Sequence, residues 1–263
     1  MKNKIKEIWS KAKEGQAISK LSDKDVDQIL NLHFKYNRAK DKMFFAMLKK
    51  FGLANKKVAD IGCGYGHYLY HFSKDSYGVD ISDRHVRFAN GLGLKTYQKD
   101  IINDSFSDIP KAQVGWSFAT IEHIDSPHIF LRKCNLLIED NGTFILECPI
   151  RPISKYYRYL PFLKNLWNEH GDHVSFFTIE TLKWSLRRSG FEPLSSFKWS
   201  IPLVNKGIPP MLTRYFPFSL FSSDAVIVSR KIPNWEYPKR SIREAKDNTH
   251  GFKFKEEVFK ADD

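Results

Sequence analysis

Short β-rich runs alternate with helical patterns between residues 58 and 148, and this alternation constrains the fold more than any other feature of the chain. The runs are VADI (58–61), YGVDI (77–81), LKTYQ (94–98), VGWSFA (114–119) and TFILEC (143–148). Strands separated by helices of this length favour a parallel sheet wound by right-handed crossovers. Such a sheet binds ligands beyond the carboxyl ends of its strands, so the informative residues should follow the β runs.

Helical patterns surround these runs. Apolar side chains recur every three or four residues across 23–51, which predicts a helix that Gly52 stops. Ser126-Pro127 predicts the start of a second helix, which would run through Leu137 until Asn141-Gly142 stops it. Three further elements are predicted: a helix over 178–189 and strands over 196–203 and 225–230.

The chain is therefore predicted to have three parts. Residues 1–52 would form an N-terminal helical cap, residues 53–231 the core domain, and residues 232–263 a polar C-terminal extension. Two aromatic, basic, proline-broken stretches interrupt the core as insertions at about 151–177 and 204–222.

A glycine-rich turn, DIGCGYGH (60–67), follows the first β run and is predicted to lead into a helix through Tyr68 and Phe72. Glycine is needed where the backbone adopts a positive φ or comes close to a ligand. A dinucleotide fingerprint would also require a glycine at His67, and a Walker loop would end in Gly-Lys-Ser/Thr, which is missing. What remains is Gly-x-Gly-x-Gly preceded by Asp60, and an ordinary tight turn stays an alternative reading.

DIGCGYG resembles motif I of the class I S-adenosylmethionine-dependent methyltransferases, and later segments match the same family in order. These are VDIS (79–82), KDI (99–101), TIEHI (120–124) and HVSFFT (173–178). TIEHI is similar to the (V/I)-L-E-H-(V/I) signature of a branch that includes quinone-biosynthesis and glycan-modifying enzymes. The resemblance covers about residues 53–230 and implies a Rossmann-like, seven-stranded, mostly parallel sheet with helices on both faces.

The resemblance implies S-adenosylmethionine as methyl donor and S-adenosylhomocysteine as product. It places the cofactor on the glycine turn and on the strand ends that follow: Asp60, Gly62, Cys63, Gly64, Gly66, Asp80, Ile81, Asp100, Ile101, Ala119 and Thr120. In the family, the acid at the position of Asp80 accepts hydrogen bonds from the ribose hydroxyls, and the pair at Asp100-Ile101 meets the adenine. Taken singly, each acid has a structural alternative as a strand-end cap or a solvated loop residue.

Methyl transfer from a sulfonium uses an already activated donor, so positioning and exclusion of water supply much of the catalysis. A base is needed only where the acceptor is a weakly acidic hydroxyl or an ammonium group. By placement, His173, then His123 and His170, are candidates for a base or a substrate ligand, with a structural role as the alternative. The chain shows no Cys or His cluster at zinc spacing, so no metal is predicted.

The net charge of +12 is unevenly distributed along the chain. Basic residues outnumber acidic ones by 13 to 6 over 1–52 and by 12 to 5 over 151–231, against 10 to 12 over 53–150. Because these flanking parts usually cover the acceptor in the family, we predict an anionic acceptor, such as a phosphorylated, nucleotide-linked or lipid-linked sugar, modified by O-methylation. The predicted acceptor ligands are Glu122, Lys35, Arg38, Arg151, Arg158 and Arg214. Simple solvation of outer faces by these charges is an equal alternative.

Rival functions remain open at this point. An RNA methyltransferase fits the positive charge, although the Asp/Asn-Pro-Pro-aromatic motif of amino-directed enzymes is absent after the fourth strand. A methyltransferase-like protein without activity is a second rival. A nicotinamide oxidoreductase is the weakest rival. The aromatic insertions could form a lid over the acceptor, or instead a peripheral membrane or dimer contact.

The sequence also bears on localisation. It shows no apolar run near the roughly 18 residues of a membrane span and no secretory signal, so we expect a cytoplasmic protein. Its three cysteines, Cys63, Cys134 and Cys148, are expected to be reduced thiols.

Overall fold

The computed structural model describes Ser10 and residues 38–150, 172–199 and 222–236. Within these ranges the chain forms a seven-stranded sheet of order β3-β2-β1-β4-β5-β7-β6. The strands are β1 (Val58–Ile61), β2 (Tyr77–Asp80), β3 (Thr96–Gln98), β4 (Ala112–Phe118), β5 (Ile138–Pro149), β6 (Phe191–Trp199) and β7 (Asp224–Lys231). Strands β1 to β5 are parallel, and β7 is antiparallel to both β5 and β6. The predicted mostly parallel sheet is confirmed.

Helices lie on both faces of this sheet, as predicted. They are α1 (Arg38–Phe51), α2 (Asp83–Gly91), α3 (Pro127–Leu136) and α4 (Ile179–Arg187). On one face, Phe44 of α1 packs in a cluster with Trp116 of β4. On the other, Phe130 of α3 and Leu182 of α4 pack in a cluster with Phe144 of β5. None of the helices in the described ranges is long and apolar enough to cross a membrane.

Strand β5 is buried on both faces, between the helices on either side of the sheet. Its residues alternate between the two clusters, with Phe144 and Leu146 on the α3 and α4 side and Ile145 on the α1 side. Burial on both faces is what a parallel sheet covered by helices requires. The carboxyl ends of the strands are thereby held in one rigid edge.

The helix predicted to run through Leu137 ends earlier than expected. Leu137 is fully buried, and its carbonyl accepts a hydrogen bond of 2.9 Å from the Ala112 backbone N–H, which draws the chain into the sheet. Strand β5 therefore begins at Ile138. Asn141-Gly142 lies in an irregularity inside that strand, between the Ala112–Ile138 and Val114–Thr143 pairs, and does not stop the helix.

The helix predicted after the glycine turn was also wrong. Only a 3₁₀ turn, Leu69–His71, forms there. The backbone N–H groups of His71 and Phe72 donate to the carbonyls of Tyr68 and Leu69, three residues back, which is the tighter 3₁₀ pattern. Gly52 and Gly190 end α1 and α4 as predicted, with positive φ angles of 60° and 84°. The strand predicted over 196–203 begins earlier, at Phe191, because Phe191, Glu192 and Pro193 already pair with β7.

Other sequence predictions concern a helix cap, the cysteines and the segments that flank or interrupt the core. Thr178 caps α4 through reciprocal bonds with Thr181, in which each backbone N–H donates to the other residue's hydroxyl. All three cysteines are buried free thiols. Most of the predicted N-terminal cap, the two insertions and the C-terminal extension lie outside the described residues.

Candidate functional site

A cavity of about 510 Å³ lies at the carboxyl ends of β1, β2, β3 and β4. Nine of the residues singled out in the sequence line it: Gly62, Gly64, Asp80, Ile81, Asp100, Ile101, Ala119, Thr120 and His123. These residues come from four separate strand ends, so the parallel topology alone brings them together. The volume is within the range typical of small-molecule and cofactor sites.

The glycine turn after β1 forms the floor of the cavity. Gly62 and Gly64 have positive φ angles of 78° and 52°. A Cβ at Gly62 would overlap the side chain of Thr120, whereas a Cβ at Gly64 would meet no atom within 4 Å. Gly62 is thus required by conformation and by space, while Gly64 leaves the backbone open for a ligand.

Three residues of the turn predicted to bind the cofactor lie behind this floor. Cys63 is buried, and its sulfur fills the space that a side chain at Gly78 would need. Gly66, with φ 84°, allows close approach of the Leu94 side chain. Asp60 is 2% exposed. None of these three is among the residues that line the cavity, so within the described chain they shape the turn rather than its surface.

Asp80, at the end of β2, is a hydrogen-bonded carboxylate in the cavity wall. Its Oδ2 accepts from the Gly64 backbone N–H at 2.8 Å, and its Oδ1 accepts from the Ser82 backbone N–H at 2.9 Å. The Nδ1 atom of His85 lies 3.1 Å from the same Oδ1. Burial acts to raise the pKa of Asp80, but the bonds from His85, Ser82 and Gly64 outweigh it and hold the pKa below its ordinary value. Asp80 is therefore a stable carboxylate facing the cavity.

Asp60 has the opposite electrostatic environment. Burial, and next the negative charge of Asp80, raise the pKa of Asp60 to about 8, while a bond from the Leu69 backbone N–H works against them. Within the described chain, its Oδ2 atom has no hydrogen-bond partner. A carboxyl group so placed is protonated near neutral pH and serves as a neutral support under the turn.

Asp100, after β3, organises its own loop. One carboxylate oxygen accepts from the Ile102 backbone N–H at 2.8 Å and the other from the Asn103 side-chain amide at 2.7 Å. These bonds lower the pKa of Asp100, so it carries a negative charge at the cavity. Beside it, Ile101 lines the same wall, and the 64%-exposed side chain of Ile81 lines it from the end of β2.

The turn after β4 is held from below by a buried glutamate. Ala119 has a positive φ of 49°, which is unusual for a residue with a side chain. Its backbone N–H donates to a carboxylate oxygen of Glu147 on β5 at 3.0 Å, and Glu147 is fully buried. The Thr120 hydroxyl then donates to the Phe118 carbonyl at 3.1 Å. These contacts fix the backbone that leads to His123.

His123 and His173, fifty residues apart in the sequence, lie side by side. Their rings meet edge to face, with centroids 4.9 Å apart. The Nε2 atom of His123 is 3.9 Å from a carboxylate oxygen of Glu122, which is 1% exposed and is not among the residues that line the cavity. One side-chain oxygen or nitrogen from each of the three residues lies within 4.8 Å of the others.

Backbone hydrogen bonds join the segment around His173 to the turn that carries Glu122. The backbone N–H groups of Val174 and Ser175 both donate to the Glu122 carbonyl, at 2.9 and 3.0 Å. The Ser175 hydroxyl donates to the Ile124 carbonyl at 2.9 Å. The two histidines are therefore held together by main-chain contacts as well as by their rings.

Sequence reasoning missed part of the cavity wall. The lining residues that were not predicted as site residues are Ile61, Val79, Ser82, His85, Lys99, Ile124 and Phe130. Ser82 gave a usable signal, because a serine directly after a strand predicts a helix cap; here its hydroxyl accepts from the His85 backbone N–H, which brings the His85 ring over Asp80.

Several predicted acceptor ligands lie outside the described residues: Lys35, Arg151, Arg158, His170 and Arg214. Arg38 is the first residue of α1, and its side chain is not described.

Comparisons with known proteins agree with this fold. A family model described as a methyltransferase domain matches residues 32–196. No curated protein matches the sequence. An S-adenosylmethionine-dependent methyltransferase from Archaeoglobus fulgidus has a TM-score of 0.54 at 20% identity, over 76% of this chain and 98% of that one. An S-adenosylmethionine-dependent methyltransferase from Mesorhizobium loti has a TM-score of 0.53 at 16% identity, over 73% of this chain and 98% of that one. Magnesium protoporphyrin IX methyltransferase from Synechocystis, with bound S-adenosylhomocysteine, has a TM-score of 0.51 at 12% identity, over 86% of this chain and 93% of that one.

Proposed function

Since the chain belongs to the methyltransferase-domain family and is an S-adenosylmethionine-dependent enzyme, we propose that it O-methylates an anionic small molecule or glycan intermediate. The observation that carries this proposal is the position of the cavity. It lies at the carboxyl edge of the sheet, and two segments with a net positive charge, 151–171 and 200–221, join the strands at that same edge.

The cavity wall fits the cofactor chemically. The ionised Asp80 can accept hydrogen bonds from two ribose hydroxyls, and Ile81 and Ile101 offer apolar contacts to an adenine ring. The open space above Gly64 lets the backbone approach the amino-acid portion. When bound, S-adenosylmethionine supplies a methyl group already activated by the sulfonium.

The acceptor side is inferred from where the chain leaves the sheet. Segment 151–171 follows β5, which ends at Pro149. Segment 200–221 follows Trp199, the last residue of β6, and ends shortly before Asp224, the first residue of β7. Asp224 pairs with both Pro149 and Trp199, so all three ends lie together at the carboxyl edge. Segment 200–221 contains two basic residues and no acidic one, and 151–171 contains four basic and one acidic. A phosphate- or carboxylate-bearing acceptor suits such surroundings.

His123 and His173 are the groups proposed to act on the acceptor. His123 lines the cavity, and His173 contacts its ring. Their role is to bind the acceptor hydroxyl or to take up its proton as the oxygen is methylated. The Glu122 turn and the Glu147 contact to Ala119 hold them in position.

The proposal is tested in two steps. Calorimetry with S-adenosylhomocysteine should show one saturable site, which Asp80→Ala weakens. Methyl transfer from labelled S-adenosylmethionine is then compared across phosphorylated sugars, nucleotide-linked sugars, neutral sugars and tRNA. Labelling of anionic sugars supports the proposal. Labelling confined to tRNA would replace it with RNA methylation, and labelling confined to neutral sugars would remove the charge argument.

A further inference from the structure

We propose that Glu122, His123 and His173 form a binding site for a divalent transition-metal ion of the Zn²⁺ type, at the acceptor side of the cavity. Sequence spacing does not predict this site, because the two histidines are fifty positions apart and follow no zinc-ligand pattern. The fold brings the three side chains together at one turn.

The donor set suits such an ion. Two imidazoles and one carboxylate are the protein ligands of several catalytic zinc sites and of other first-row divalent metals. The coordinating atoms lie within 4.8 Å of one another, whereas ligands of a tetrahedral zinc are roughly 3.4 Å apart. An inward shift of the ligand atoms by about an ångström brings them to the tetrahedral spacing. Side-chain rotation allows this shift for the exposed His123 and the half-buried His173.

The tautomer of His123 is set by a backbone carbonyl. Its Nδ1 lies 2.9 Å from the Asp172 carbonyl oxygen, which can only accept, so Nδ1 carries the proton. In the neutral ring Nε2 is then the unprotonated nitrogen, and it is the atom that lies 3.9 Å from the Glu122 carboxylate. Metal-binding histidines commonly donate their second N–H to a carbonyl or carboxylate in this way.

The local charge also favours a cation. The Glu122 carboxylate is 1% exposed, and the Asp172 carboxylate lies 3.7 Å from the His123 ring. The bonds from Val174 and Ser175 to the Glu122 carbonyl hold the two ligand-bearing segments together without a metal. A preformed site of this kind loses little conformational entropy when an ion binds.

The role of the ion rests on the proposed function. Three protein ligands leave a fourth position open, and His123 places that position at the cavity. An acceptor hydroxyl bound there has a lowered pKa and releases its proton to solvent, which prepares its oxygen for methylation. The histidines then act through the metal, so neither has to be the base.

The test uses the full chain without an affinity tag, freed of metal with a chelator. Titration with Co²⁺ should produce visible absorption bands that saturate at one ion per chain, and added Zn²⁺ should abolish them. His173→Gln and His123→Gln should each weaken Co²⁺ binding at least tenfold. His128→Gln is the matched control, since His128 lies on α3 against Trp184, and it should bind as the parent chain does.

The outcomes separate this inference from the proposed function. Absence of saturable Co²⁺ binding, or equal binding by the His123→Gln/His173→Gln double variant, would overturn the metal site. Binding of S-adenosylhomocysteine, measured on the same samples, reports the cofactor site and shows that each variant is folded. If a histidine variant fails that check, Glu122→Gln takes its place. Loss of methyl transfer with chelator and its return with Zn²⁺ would further support the role in catalysis.

Discussion

The backbone N–H of Gly64 donates to the Oδ2 of Asp80 at 2.8 Å, so the glycine turn after β1 is anchored directly to the acid that ends β2. One carboxylate thereby shapes the floor of the cavity and forms part of its wall. Two features that look like separate ligand contacts in the sequence are a single hydrogen-bonded unit in the structure. Changes at either residue should therefore affect both.

Asp80→Asn should weaken binding of S-adenosylhomocysteine by about 10- to 100-fold, since a hydrogen bond to a charged group is worth about 1.5–3 kcal/mol. The amide nitrogen of Asn cannot accept from Gly64 or from Ser82, so one of these two anchors is lost. Isothermal titration calorimetry measures the change. Asp83→Asn, at an exposed acid that pairs with Arg87, is the control and should bind normally.

Asp60 should make the free energy of unfolding depend on pH between about 4 and 8. Its pKa is about 8 in the folded chain against an ordinary value of 3.8, so the folded state holds a proton that the unfolded state has released. Stability from this group is therefore full below pH 3.8 and is lost as the pH rises to about 8, by at most about 1.4 kcal/mol per unit. Thermal unfolding of Asp60→Asn should show a flatter pH profile, whereas Asp75→Asn, at an exposed turn, should keep the parent slope. Parallel profiles for the parent and Asp60→Asn would contradict the assignment.

Gly62→Ala should destabilise the chain more than Gly93→Ala. Both glycines have φ near 80°, which costs a residue with a side chain roughly 1–2 kcal/mol. Only at Gly62 does the new methyl overlap a neighbour, Thr120, which adds about 1–3 kcal/mol for overpacking. Urea denaturation of the two variants measures the difference. Equal losses would show that the close contact with Thr120 carries no energy.

His173→Ala should lower turnover by about 100-fold or more, the size expected when activation of the acceptor hydroxyl is lost, while leaving the affinity for S-adenosylhomocysteine within about twofold. His173 contacts His123 and is not among the residues that line the cofactor cavity. Comparison of kcat with calorimetric affinity separates the two effects, with His128→Ala as control. Unchanged turnover would remove His173 from the site.

Added salt should weaken the use of an anionic acceptor without weakening cofactor binding. The Debye length falls from about 10 Å at 0.1 M to about 3 Å at 1 M salt, so exposed basic side chains lose most of their attraction. Asp80, Ile81 and Gly64 line the cavity, where short-range contacts would hold the bound cofactor. KM for the acceptor, measured from 0.05 to about 0.5 M NaCl, should rise at least fivefold, whereas a flat profile would favour charges that only solvate the surface.

The sequence predicted the sheet well because its strands are short apolar runs buried on both faces. It also predicted residues that now line one cavity, because parallel strands place their carboxyl ends together. Local spacing could not reveal that Asp60 and Cys63 turn behind the floor, because burial depends on the packing of β2 against the turn. It also could not bring His173 to Glu122, since that contact depends on hydrogen bonds from a segment fifty residues away.

The pairing of Trp199 with Asp224 has a consequence for how acceptor choice could change. Segment 200–221 starts and finishes at neighbouring positions of one hairpin, so a replacement of different length closes at the same two points. The cost of closing such a loop rises only slowly with its length. Under the proposed function, the sheet and its cavity can stay constant while this segment is exchanged between related enzymes, and acceptor preference should follow the exchanged segment.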